Sequence, residues 1–167
     1  ASSETEEPNQ ETVSEELTTL ERALDDEPQL TGEKDEYRAT RRRARDSAFA
    51  ELVRQAYDGT CAICGRSRET PAGNPEVEAA HIYPKQEDGS DDVRNGLALC
   101  KLHHWAFDTG WLAVSDNYEI LVKDAPEREG YYEFKQLEGD SLHLPDNEDT
   151  KPHPMFLEQH REIHGFN

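Results

Sequence analysis

The paired repeats Cys61-Ala-Ile-Cys64 and Cys100-Lys-Leu-His103 constrain this chain more than any other feature. Each places two soft donors three residues apart, and two such knuckles supply the tetrahedral set of one Zn²⁺ ion. The set uses every cysteine in the chain. Three is an odd number, which argues against a framework of disulfides alone and suits thiolate ligation in a reducing compartment. A lone CxxC is equally compatible with redox chemistry; the second knuckle favours a structural metal site, with Gly65 letting the backbone fold both sulfurs inward. Such a small unit depends on ligation, so removing the metal should unfold it.

Between and beside the knuckles the residues fall into short elements. Val77 to Pro84 reads as a strand with His81 near its end, and Arg94 to Leu99 as a turn and second strand. The loop Lys85 to Val93, rich in Asp, Gly and Ser, is expected to expose its backbone. From Cys100 a helix should run to Asp108 and stop at Gly110. His104 and Asp108, four apart, then share one helical face and can reach a single divalent cation. By themselves, a His in a strand is commonly structural and Asn95-Gly96 is a hairpin-turn signature.

Taken together, the His followed by Ile-x-Pro, the Asn before a Leu-rich step into Cys100, and a second His directly after a presumed zinc ligand resemble the HNH endonucleases, in the branch where zinc staples the motif. The resemblance implies an α+β fold: a ββα-metal core with a structural Cys3His zinc site, an N-terminal helix, a small antiparallel sheet and a C-terminal helix. It implies structural Zn²⁺ on Cys61, Cys64, Cys100 and His103, with His81 as general base. It also implies that Asn95 pins the loop opposite His81, and that His104 ligates a catalytic cation such as Mg²⁺, Mn²⁺ or Ni²⁺. Many relatives carry an Asp immediately before the base, where this chain has Ala80. Asp108 is the favoured substitute ligand; the other option is His104 alone with water and phosphate oxygens. The opposite split, His104 on zinc and His103 at the active site, runs against the usual family order. The expected function is a metal-dependent DNA endonuclease, the cutting part of a restriction-type enzyme, with a modification-dependent one among the options. Its partners would be double-stranded DNA, a separate or upstream recognition domain, and a second copy of the chain for double-strand cleavage. An inactive zinc module for nucleic acid or protein, and a nuclease for RNA or single strands, remain open.

With 167 residues and 34% hydrophobic content, the chain supports one modest domain plus unpacked sequence. Residues 1–36 hold thirteen Asp and Glu against Arg22 and Lys34, eleven of the nineteen net negative charges. They are expected to be an acidic disordered linker or tail, with at most a short helix over Glu15 to Leu24 capped by Ser14. Residues 37–167 would form the endonuclease domain, with its zinc and ββα-metal core at 58–110. The excess acidity suits either a halophilic protein, whose carboxylates hold water at high salt, or an ordinary acidic one. A helix from Asp35 to Tyr57 follows from Phe49, Leu52, Val53 and Ala56. It carries the chain's basic cluster, in which Arg42, Arg43 and Arg45 are candidates for DNA phosphates or for pairing with carboxylates such as Glu36 and Asp46. Trp111–Val114 with Glu119–Val122, and Tyr131–Leu137 with Ser141–Leu144, suggest two hairpins in one small sheet. Met155 to His164 would be the last helix, with His143 and His160 structural. No apolar run approaches the roughly 20 residues that cross a bilayer, and the first residues do not resemble a signal peptide, so a cytoplasmic location is expected. The start at Ala1 suggests a piece of a longer protein.

Overall fold

A computed structural model describes residues 9–32 and 39–166. Its elements are α1 (Gln10–Ala23), α2 (Ala39–Ala56), β1 (Glu78–His81), β2 (Gly96–Leu99), α3 (Lys101–Asp108), β3 (Leu112–Val114), β4 (Ile120–Val122), α4 (Tyr131–Lys135) and α5 (Pro154–Ile163). No described helix is long and apolar enough to cross a membrane.

Helix α2 is the spine. Its Ala44, Ala48, Phe49 and Val53 are buried at helical spacing, and this stripe lies on the β1–β2 pair. The strands run antiparallel, with Glu78 opposite Leu99 and His81 opposite Gly96. Gly96 has an extended φ of −128°, so Asn95-Gly96 is not the hairpin turn its sequence suggests. Its small size matters instead, because a Cβ there would lie 2.5 Å from Val53 Cγ2 and 3.0 Å from Phe49 Cζ. The strands are joined by the long segment 82–95, whose residues Ser90 to Val93 are buried and not exposed at a rim as their polarity suggests.

β2 is buried throughout and passes directly into α3 at Cys100. On the far side, β3 and β4 form a second antiparallel pair that packs against α3 and α5. His160 of α5 stacks on Phe107 at 3.7 Å, and its Nε2 donates to the Phe107 carbonyl at 2.9 Å. Burial pushes this imidazole down to about 4, so it is a packing residue, as expected.

Two expectations fail here. Tyr131–Leu137 is not a strand: α4 forms there because Tyr131 and Phe134, three apart, turn the same way into the core after Gly130. Residues 141–144 then contribute only a bridge from Ser141 to Glu119, so the two pairs of strands remain separate two-stranded sheets.

Nor is the described part of the acidic segment disordered. Asn9, not Ser14, caps α1 by accepting from Thr12 N at 2.7 Å. Val13, Glu16 and Leu20 are buried. The helix docks because α2 offers counterions to a carboxylate that would otherwise resist burial: Glu16 lies 2.9 Å from Arg45 Nε and 3.3 Å from Arg41 Nη1. Beyond the helix, Ser90 N donates to Leu30 O at 3.1 Å and Gly32 N to Asp88 O at 2.8 Å. The expected boundary at residue 36, the start of the helix at Asp35, and the side chains of Lys34, Glu36 and Arg38 lie outside the described residues.

Candidate active site

Cys61, Cys64, Cys100 and His103 come together with all four ligand atoms within 4.8 Å of one another. His103 Nδ1 lies 3.3 Å from Cys100 Sγ and 3.8 Å from Cys61 Sγ. A tetrahedral zinc ion separates neighbouring ligand atoms by roughly 3.5 to 3.8 Å, so the cluster has the geometry of a zinc site. Burial pushes the Cys61 thiol up to about 12, and thiolates in so dry a place need a cation beside them. The first knuckle is closed by Gly65 N donating to Cys61 O at 2.8 Å and tied to β2 by Ala62 N donating to Ala98 O at 2.8 Å. The second knuckle is the first turn of α3. The Phe134 ring meets His103 edge-on at 6.4 Å, so α4 covers the same cluster.

His81, at the end of β1, is stacked flat on Phe49 with centroids 4.1 Å apart and planes within 10°. Its Nε2 lies 2.8 Å from Asp91 Oδ1. Lys85 Nζ approaches the same carboxylate at 3.0 Å. Burial raises Asp91, but the hydrogen bonds from His81 and Lys85 outweigh it and hold the group below the usual carboxylate range. Asn95 is fully buried and spans the connecting segment: Oδ1 accepts from Tyr83 N at 2.8 Å, while Nδ2 donates to Tyr83 O at 3.1 Å and Ser90 O at 2.8 Å. A Cβ on Gly89 would fall 1.9 Å from Tyr83 O, so only glycine fits where the segment folds back on itself.

His104 sits between two carboxylates, with Nε2 3.1 Å from Asp108 Oδ2 and Nδ1 3.0 Å from Glu78 Oε1. The Asp108 bond, with that from Glu78, raises the imidazole to about 9 against the opposing effect of burial. The structure thus joins Asp108 to His104, and it adds Glu78, which was not among the sequence candidates. The strand register carries the signal for it: Glu78 pairs opposite Leu99, one residue before Cys100, and so lies beside the first turn of α3. Ala80 is buried in the core and, two residues after Glu78 on the same face of β1, brings no ligand atom. Because Glu78 occupies Nδ1, the pair able to share one cation is His104 Nε2 and Asp108.

Asp91 is the second residue that the sequence did not single out. It is one of several acidic residues in its loop, and only the folded loop brings it to His81. Beside it opens a cleft of about 790 Å³ lined in part by Leu20, Arg42, Arg45, Asp46 and Lys85. Burial lifts the Asp46 carboxyl above its usual range. Arg42 and Arg45 thus share a cleft with the His81 partner, whereas Arg43 lies outside that lining.

Residues 61–115 match the family model of the HNH endonucleases. That stretch contains both knuckles, β1, β2 and α3. The core is an HNH-type fold. Among solved structures, one that the chain resembles is a modification-dependent TagI restriction endonuclease, at a TM-score of 0.52 and 22% identity. The match covers 69% of this chain and 36% of that enzyme, so the chain spans about a third of its length. No curated protein sequence matches the chain. At that identity the structural likeness speaks for the fold alone.

Proposed function

We propose that the chain is a metal-dependent DNA endonuclease and forms the cutting part of a restriction-type enzyme. The observation that carries this is the placement, on an HNH core, of a carboxylate-bonded imidazole at one end of β1 and the His104–Asp108 pair beside its other end. His81 accepts the proton of a water that attacks phosphorus. His104 and Asp108 would hold a divalent cation such as Mg²⁺, Mn²⁺ or Ni²⁺, which would supply Lewis acidity towards the phosphate and the leaving 3′ oxygen. Glu78 accepts from His104 Nδ1 and so keeps Nε2 turned towards that position. Asn95 holds the loop that faces His81. Cleavage then leaves a 5′ phosphate and a 3′ hydroxyl. Zn²⁺ on Cys61, Cys64, Cys100 and His103 fixes β2 against α3, and with it the spacing of the two halves.

Arg42, Arg43 and Arg45 are the proposed phosphate contacts. For Arg45 this is an exchange of the Glu16 carboxylate for phosphate, which makes α1 a competitor of DNA. Base or modification recognition is assigned to a separate or upstream domain, and double-strand cutting to pairing of two chains. The dense carboxylate surface suits a cytoplasm of high salt.

The test is incubation of the purified chain with plasmid DNA under Mg²⁺, Mn²⁺ or Ni²⁺ at low and high salt, beside His81→Ala and His104→Ala. Loss of nicking in both variants with zinc content retained supports the reading. Unchanged activity in either variant overturns it. Parallel assays on RNA and single strands decide the substrate class.

A further inference from the structure

We propose that Asp91 is a positioning residue for His81, whose buried carboxylate fixes the imidazole in the Nε2–H tautomer and leaves Nδ1 as the only lone-pair nitrogen. The proposal rests on the reading of His81 as the base. A carboxylate can only accept, so at 2.8 Å from Asp91 Oδ1 the proton of a neutral His81 must sit on Nε2. The Phe49 stack fixes the plane of the ring, and the hydrogen bond fixes its rotation within that plane. Together they remove the freedom that a general base must lose before it can meet a water.

The loop delivers Asp91 by design of its neighbours. The residue before it, Ser90, has both backbone groups held: its N–H donates to Leu30 O at 3.1 Å and its carbonyl accepts from Asn95 Nδ2 at 2.8 Å. Gly89 permits the tight approach to Tyr83 that makes this clamp possible. Asp91 has 8% of its side chain exposed, and a carboxylate in so dry a place is retained only when paired. Lys85 at 3.0 Å keeps it ionised. It is therefore a charged acceptor that faces His81, and the same charge stabilises the imidazolium formed once His81 takes the proton from water. Asn95 thereby acquires a second consequence: through Ser90 and Asp91 it reaches the base itself.

The experiment uses the full chain, ¹⁵N-labelled at histidine, as wild type, Asp91→Asn and Asp91→Ala. Two-bond ¹H–¹⁵N spectra at neutral pH read the His81 tautomer, and plasmid nicking gives kcat and KM. In the wild type we expect Nε2–H. In Asp91→Asn, the Lys85 ammonium attracts the amide oxygen and the NH₂ faces the ring, which moves the proton to Nδ1. That variant should lose about 10²-fold or more in kcat with KM changed less than about threefold. Asp91→Ala, in which either tautomer is allowed, should lose less than Asp91→Asn. A residue that merely supports the loop gives the reverse order, since Asn keeps the shape, and leaves the tautomer unchanged; either result overturns the proposal. Zinc content and melting temperature monitor the fold, and if Asp91→Ala loses either, wild type against Asp91→Asn decides. Should no variant cut any nucleic acid, the nuclease reading falls, while the His81 tautomer still shows whether Asp91 sets it.

Discussion

The ββα core and the N-terminal helix are held by different physics. In the core, two sulfurs on the loop after α2 and a sulfur and imidazole at the start of α3 meet at one point, so a single ion can fix the register of everything between. Helix α1 has no such point. It docks through three buried side chains, one of them the Glu16 carboxylate bonded to two arginines of α2, and through a few backbone bonds from residues 30 and 32 to the loop carrying Asp91. The core is closed by four ligands that one strong ion can hold, and the α1 layer by individually weak contacts. The first kind of order survives loss of the second, whereas the reverse does not hold, because α2 and the 88–90 loop that α1 rests on are parts of the core.

The largest effect should follow removal of the metal. A structural zinc contributes roughly 10 to 16 kcal/mol in small domains, as much as the whole stability of a typical domain, about 5 to 15 kcal/mol. Chelation or Cys100→Ser is therefore expected to abolish the near-ultraviolet circular dichroism of the core and the amide protection of α1 together. Deletion of residues 1–32, by contrast, should leave zinc stoichiometry at one per chain. Retained α1 protection in a metal-free chain would show that the layers are not ordered in this hierarchy.

Next in size is an acid sensitivity confined to the core. His160 is held neutral in the folded chain at about 4, below its ordinary value near 6.5. Since folding depresses this pKa, the neutral ring's contribution is complete above about pH 6.5 and is lost as pH falls towards 4, because the unfolded chain takes up the proton first. Two and a half units correspond to about 3 kcal/mol. Chemical denaturation between pH 7 and 4 should show a loss of that order, reduced in His160→Gln, which can still donate to Phe107 O but does not titrate.

Glu16 probes the other layer. Replacing it with Ala removes the carboxylate that Arg45 Nε meets at 2.9 Å, and a lost hydrogen bond to a charged partner costs about 1 to 3 kcal/mol. Hydrogen exchange of residues 10–23 should accelerate accordingly while β1 and β2 keep their protection. Equal acceleration in β2 would mean that α1 and the core open as one unit.

This contrast also governs what could be read from the chain. The zinc set, β1, β2, α3 and α5 announce themselves through spacing: Cys-x-x-Cys, a short apolar run before Pro84, apolar residues three and four apart. The hairpin of β3 and β4 is signalled by Asp116-Asn117. What was illegible has no spacing signature and depends on which partner a side chain meets in the fold. Asp91 is one acid among several until Asn95 and Leu30 fix Ser90 beside it. Glu78 looks like an ordinary strand residue until the register places it against α3. The order of α1 was hidden because its burial rests on Arg41 and Arg45, some 25 to 29 residues away, and composition counts charges without pairing them. Tyr131–Lys135 misled for the reason common to short segments: three aromatics in four residues suit a strand by type, yet Tyr131 and Phe134 meet the core only at helical spacing.

The smallest expected effect decides between two residues for one role. Sequence favours Ser14 as the cap of α1, but the structure places Ser14 inside the helix, where its carbonyl accepts from Thr18 Oγ1 at 3.1 Å, and gives the cap to Asn9. Loss of an N-cap side chain costs about 1 kcal/mol, so Asn9→Ala should fray the first turn and raise exchange at Thr12 and its neighbours. Ser14→Ala should change stability by no more than about 0.5 kcal/mol, since it removes no cap and improves helix propensity. If Ser14→Ala were the costlier of the two, α1 would begin near residue 15, and Val13 would lose its place against α2.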